Sequence, residues 1–362
     1  MAVNRDRFLD FFKGLLILWV IQIHTVFWSG RTYVPELVRQ VSLLIDVSGF
    51  VFISGYLTKV SDFGSSFQKS LKQFKNLYLE YFVLSCLFLL PLWLFYFIQN
   101  KSNPDLPLAI ISMLRVNPSG DLWEDLAVYP GSLWYMAVYF SLLAVIPFVL
   151  NLFGSRQLRI VILTALLVLF VICGNLDWNY PFLFTETIFA LFYLFIFLLG
   201  TAYKLDEQHI PLRYLKLSFL TTVTVCLLLL LFVKGGTLDL HTHKFPPNII
   251  YLPYSLLVIH LFAIVRQMLN YAAISRPNRA LSFLEWCGKN SYSIYLMQGI
   301  VCSLPGYIIP LLLNNGVPGL GVYVIALLFN LIFTLLLAFL WNRTKTVFGE
   351  FVTTIKTKNT AH

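Results

Sequence analysis

Residues 8 to 28 read FLDFFKGLLILWVIQIHTVFW, an apolar run of bilayer length interrupted by Asp10, Lys13 and His24. About 20 such residues cross the hydrocarbon core as a helix, and ionisable side chains inside it are costly enough to mark function by default. Lys13 and His24 are eleven residues apart. At about 100° per residue that is about 20° past three full turns, so both leave the same helix face. The rise between them is about 16 Å, which sets a cation near one surface and an imidazole deep inside on a single stripe. Asp10, three residues before Lys13, is placed to pair with it and lower the cost of burying either charge.

The rest of the chain has the same character. Of its 362 residues, 58% are hydrophobic and 12% charged, outside the range of soluble domains and inside that of polytopic membrane proteins. Apolar segments of spanning length recur at about 8–28, 41–59, 77–99, 131–152, 160–174, 184–203, 217–233, 248–265, 291–312 and 320–341. The expected fold is therefore an all-α integral membrane bundle of about ten helices. The net charge of +9 does not point to nucleic acid, because the positive residues lie between apolar segments on alternate loops. With a cytoplasmic N-terminus, 20 of the 26 Lys and Arg fall inside, leaving only Arg31, Arg39, Lys101, Arg115, Lys234 and Lys244 outside. Both termini are thus expected in the cytoplasm. The first segment carries no small-residue cleavage site and reads as a retained helix. Residues 1–345 read as one ten-helix membrane domain and 346–362 as a short cytoplasmic tail. The five cysteines, without metal-ligand spacing, read as packing residues.

Asp10-x-x-Lys13-Gly14 followed by His24 resembles the first helix of the acyltransferase 3 family, membrane-bound O-acyltransferases of envelope glycans; that family more often has Arg where this chain has Lys13. Several later motifs share the resemblance. FVFISGYL, with Ser54 and Gly55, is similar to the family's Ser-Gly segment; on physics alone it is a small patch that lets a helix or an acyl chain approach the backbone. Ser132-Leu133-Trp134-Tyr135 resembles the start of the family's fourth helix and raises the value of Trp134. Lys244-Phe-Pro-Pro resembles a motif of part of the family, which makes Lys244 an expected outer wall of the substrate pocket. SYSIYLMQ, residues 291–298, is similar to Ser-Tyr-x-Ile-Tyr-Leu-x-His, with Tyr292 and Tyr295 in place and Gln298 where the family often has His.

Other stretches leave alternatives open. Lys69, Lys72 and Lys75 recur at helical spacing, a basic face for anionic lipid or for the phosphates of coenzyme A. Trp123, Glu124, Asp125 and Tyr129, then Asp177, Trp178, Tyr180 and Glu186, suit a sugar-binding surface or an interfacial aromatic belt. His241 and His243 have zinc-like spacing without further ligands, and His260 reads as a satisfied core histidine.

The resemblance implies an O-acyltransferase of the inner (plasma) membrane. It would move an acyl group, acetyl first, from cytoplasmic acyl-CoA to a hydroxyl of an envelope or exported polysaccharide or lipid-linked sugar. His24 would be general base or acyl carrier; Lys13, Asp10, Lys72 and Lys75 would serve the donor. Ser54, Trp134, Lys244, Tyr292, Tyr295 and Gln298 would serve the acceptor or line the pocket. No metal or resident cofactor is expected. A transporter of lipid-linked glycans is the rival class, disfavoured because no second-half segment matches Lys13 and His24.

Overall fold

A computed structural model describes residues 5–27, 33–98, 106–116, 126–176, 178–232, 240–269 and 278–359, with side chains as far as residue 347. Trp28, Trp123, Glu124, Asp125, Asp177 and the loop cations Arg31, Lys101 and Lys234 lie outside the described residues. The protein is an all-α polytopic membrane protein. Eight of the ten apolar segments form continuous helices long enough to span. These are α1 (Arg7–Phe27), α4 (Phe63–Ile98), α6 and α7 together (Val128–Ser132, Trp134–Leu150) and α8 (Arg156–Asn175). The others are α9 (Thr187–Asp206), α10 (Leu212–Phe232), α12 (Tyr251–Met268) and α16 (Gly319–Asn359). A ninth segment is a pair, α14 (Ser291–Val301) and α15 (Pro305–Asn314), bent by 49°. Pro305 sits in the first turn of α15, where its missing N–H costs nothing, but its ring cannot continue α14.

The segment at 41–59 departs most from expectation. It is α2 (Glu36–Ser42) and α3 (Ser48–Leu57), each too short to span alone. At the break Asp46 Oδ1 accepts from the Ser48 amide at 2.9 Å, a local side-chain-to-backbone turn that competes with continuing the helix. Among the described residues, α5 (Leu106–Leu114), α11 (Leu240–Lys244) and α13 (Arg279–Lys289) are the remaining short α-helices. Among the described residues the one sheet is a two-stranded hairpin, Pro181–Phe182 with Thr185–Glu186.

Two compact units are present: residues 1–35 with 276–362, and residues 36–275. In the first, α1 and α13 cross backbone to backbone. A Cβ on Gly14 would lie 2.0 Å from the Leu284 carbonyl oxygen, and one on Gly288 1.7 Å from that of Asp10. Each helix supplies the glycine that the other's backbone needs, the small-residue crossing of membrane helices. α16 then ties the unit with polar rungs: Tyr323 to Gln22 at 2.6 Å, Asn330 to Thr25 at 2.8 Å and Asn342 to Asn290 at 2.9 Å.

The second unit repeats the device with α3 and α9. A Cβ on Gly55 would meet the Phe197 carbonyl oxygen at 1.8 Å, and one on Gly200 that of Phe52 at 2.1 Å. Of the two uses open to the small Ser54-Gly55 patch, Gly55 serves helix packing. Phe52, Tyr56, Tyr203 and Phe262 fill the space beside it edge to face. α8 and α10 bury little, and Leu227, Leu231 and Phe232 point outward, as a lipid-facing surface requires.

Candidate functional site

In the first unit, α1 is unbroken from Arg7 to Phe27, so the stripe through Lys13 and His24 holds. At its N-terminal end Asp10 is buried and accepts two bonds from the Arg5 guanidinium, at 2.6 and 2.9 Å. Lys13 Nζ lies 3.2 Å from the same carboxylate. That carboxylate, hydrogen-bonded first and acting through charge second, pushes Arg5 above its ordinary pKa. Arg7 reaches Glu285 of α13 at 2.9 Å, so two carboxylates hold three cations at one end of α1. Asp6, whose Oδ1 accepts from the Phe8 and Leu9 amides, adds a third carboxylate there, so the charges named at this end balance.

His24, near the other end, is buried. Its Nδ1 makes a very short hydrogen bond to Oε1 of Gln298, on α14. An amide oxygen only accepts, so Nδ1 carries the proton and Nε2 carries the lone pair. This is the tautomer a general base needs. Gln298 is fully buried, and its Nε2 has no hydrogen-bond partner among the described residues. Tyr292, Tyr295 and Gln298 follow at steps of three on α14, a slowly drifting stripe that keeps Tyr295 buried. The residue that replaces the family's histidine is thus the partner of His24, a pairing 274 residues apart that no local pattern signals.

The second unit holds the other expected residues. Lys244 and Asp46 form a buried ion pair at 3.3 Å, and Lys244 also lies 5.5 Å over the Trp134 ring and 5.3 Å over that of Phe245. Tyr251 donates a very short bond to the same Asp46 carboxylate. The fully buried Tyr193 and Ser48 side chains lie beside it. Trp134 and Lys244, raised by separate motifs, are therefore together, whereas Asp46, Tyr193 and Tyr251 were not singled out by any motif. Their signal was faint: one acidic residue inside an apolar run and two tyrosines among many.

Ser54, the remaining member in this unit, lines a cavity of about 350 Å³ with Thr58, Lys59, Ser61, Ser66 and Lys69. Lys72 and Lys75 are exposed on α4 and do not line it. At the same end, Glu207 gathers Lys204 at 2.8 Å, Arg266 at 3.4 Å and the Tyr56 hydroxyl at 2.7 Å. His260 is satisfied on both nitrogens, by the Leu256 carbonyl and the Ser218 hydroxyl, each at 2.8 Å, as read from sequence. His243 Nδ1 accepts from the Asn248 amide at 2.9 Å.

The fold defines a polytopic helical membrane protein with a buried, hydrogen-bonded histidine in its first spanning helix. The profile of the acyltransferase 3 family, described as an acyltransferase domain, matches residues 6–339. The chain belongs to that family and is a membrane acyltransferase. Comparison with curated proteins and with solved structures found no match.

Proposed function

We propose that this acyltransferase takes an acetyl group from acetyl-CoA on the cytoplasmic side of the inner membrane and gives it to a hydroxyl of an envelope or exported polysaccharide. The observation that supports this most is the His24–Gln298 pair, which leaves Nε2 of a neutral imidazole as a proton acceptor. A sugar hydroxyl is a weak nucleophile at neutral pH. As its proton passes to Nε2, its oxygen bonds to the thioester carbonyl carbon, the carbon–sulfur bond breaks, and the departing thiolate takes the proton back from the imidazolium. Lys13, Asp10, Lys72 and Lys75 would serve the donor. Ser54, Trp134, Lys244, Tyr292, Tyr295 and Gln298 would position the acceptor or line its pocket.

The test is mass spectrometry of the surface glycan from cells carrying the wild type, His24→Ala or His24→Gln. Loss of a general base costs about 10²–10⁴ in rate, so both variants should be abundant, folded and inactive. Full acylation by His24→Gln, which keeps a hydrogen bond yet cannot accept a proton, refutes the assignment.

A further inference from the structure

The Ser54 cavity belongs wholly to the second unit and has an amphiphilic lining. One wall is polar and cationic, with Lys59, Lys69, Ser61, Ser66, Thr58 and Gln73; the other is apolar, built from Leu143, Ile146 and Leu150 of α7 with Leu57 and Phe197. Among the described residues, no carboxylate lines it. The nearest one in sequence, Asp62, is turned onto Ser65, accepting from its amide at 2.9 Å and its hydroxyl at 2.7 Å to cap α4. Those two bonds, the hydroxyl's first, hold the Asp62 carboxyl below the usual carboxylate range, so it stays an acceptor engaged by the helix. Lys69 Nζ lies 3.4 Å from Ser61 Oγ, which is 2.8 Å from Ser66 Oγ. Cations and hydroxyls therefore converge on one side of an otherwise apolar hollow. The volume lies within the ~300–1,000 Å³ of small-molecule sites.

Height along α4 narrows the ligand. The apolar part of that helix, residues 77–98, rises about 33 Å and fills the hydrocarbon core. Lys69 precedes it by two turns, and Lys59 follows the end of α3, so both stand at headgroup level. Phosphate esters sit at that level, while whatever chain they carry turns toward the apolar wall.

We infer that this cavity binds the phosphate of an amphiphile, a phosphate ester carried on an extended or apolar chain, with Lys59 and Lys69 as the charge partners and Ser61 and Ser66 as hydroxyl donors. Two sources share that chemistry, an anionic membrane phospholipid and the coenzyme A donor, and the second rests on the function proposed above.

The experiment uses the full-length protein in phosphatidylcholine nanodiscs, with two probes: radiolabelled coenzyme A by equilibrium binding, and phosphatidylglycerol by native mass spectrometry. Removing a charge-assisted bond costs about tenfold in affinity. Lys59→Gln with Lys69→Gln should therefore weaken one probe by about 100-fold, and Lys59→Arg with Lys69→Arg should restore it. Lys216→Gln, on the exposed face of α10, controls for loss of overall charge. A drop in the coenzyme A arm alone assigns the donor. A drop in the phosphatidylglycerol arm alone assigns a lipid; if the wild type then shows no coenzyme A binding, the cavity stands and the donor reading falls. Unchanged affinity for both probes overturns the cavity, whether or not coenzyme A binds elsewhere. Should the double variant fail to fold, Lys69→Gln alone decides, since among the described residues that exposed side chain has only Ser61 to lose.

Discussion

Replacing Gly288 by alanine tests the α1–α13 crossing directly. The new Cβ would lie 1.7 Å from the Asp10 carbonyl oxygen, about half an ordinary contact distance. Backbone carbonyls cannot swing aside as a side-chain tip does, so the helices must separate by about 1.5–2 Å. Overpacking of this kind costs about 1–3 kcal/mol. The consequence reaches the histidine, because α13 passes through Asn290 straight into α14, which carries Gln298. Displacement by that amount stretches the His24–Gln298 bond beyond hydrogen-bonding range, and misplacement of about 1 Å costs about 10² in rate. Gly14→Ala opens the same crossing from the other side, its Cβ falling 2.0 Å from Leu284. One separation accommodates both methyls, so the double variant should be barely less stable than the worse single one. Detergent melting temperatures give the cycle, and acylation of the glycan gives the activity. Additive losses, or a Gly288→Ala enzyme that melts and acylates like wild type, would refute a shared backbone crossing.

Removing one member of the buried Lys244–Asp46 pair strands the other charge, at a cost of about 3–5 kcal/mol. Lys244→Met should therefore melt below Lys244→Met with Asp46→Asn, and the opposite order contradicts a true ion pair. Burial pushes the Cys287 thiol up to about 12, so iodoacetamide at pH 8 should label it only after denaturation; rapid labelling of folded protein contradicts its burial. A periplasm-active reporter fused after Asn175 should be active and one after Arg159 silent, and the reverse pattern overturns the proposed orientation.

The sequence disclosed what repeats with a period. An unbroken apolar run with a 3.6-residue phase made α1 and its Lys13–His24 stripe readable, and hydropathy alone located the ten segments. Asp46 was opaque for the opposite reason: a short-range bond from its side chain to the Ser48 amide marks a turn inside an apolar run that hydropathy averages into one span. Pairings across the chain left no periodic trace. Gln298 looked like the loss of an imidazole until its amide was found on His24, and Lys244 could not be assigned a carboxylate 198 residues earlier. Helical phase picked out Lys69, Lys72 and Lys75 together; the cavity is lined by Lys69 of that set and by Lys59, which lies beyond a loop where no helical phase reaches.

The amide beside His24 also decides what the imidazole can do with a proton. A carboxylate or second imidazole at that position could receive the Nδ1 proton and pass it on, turning the ring into one link of a wire. An amide side chain has no such capacity near neutral pH. A proton that arrives at Nε2 must therefore leave from Nε2, and the ring returns to its starting state only when something on the same side reclaims it. A departing thiolate is such a group. In the reaction proposed above, the histidine would work as a two-way latch on one face, taking and returning one proton in each turnover.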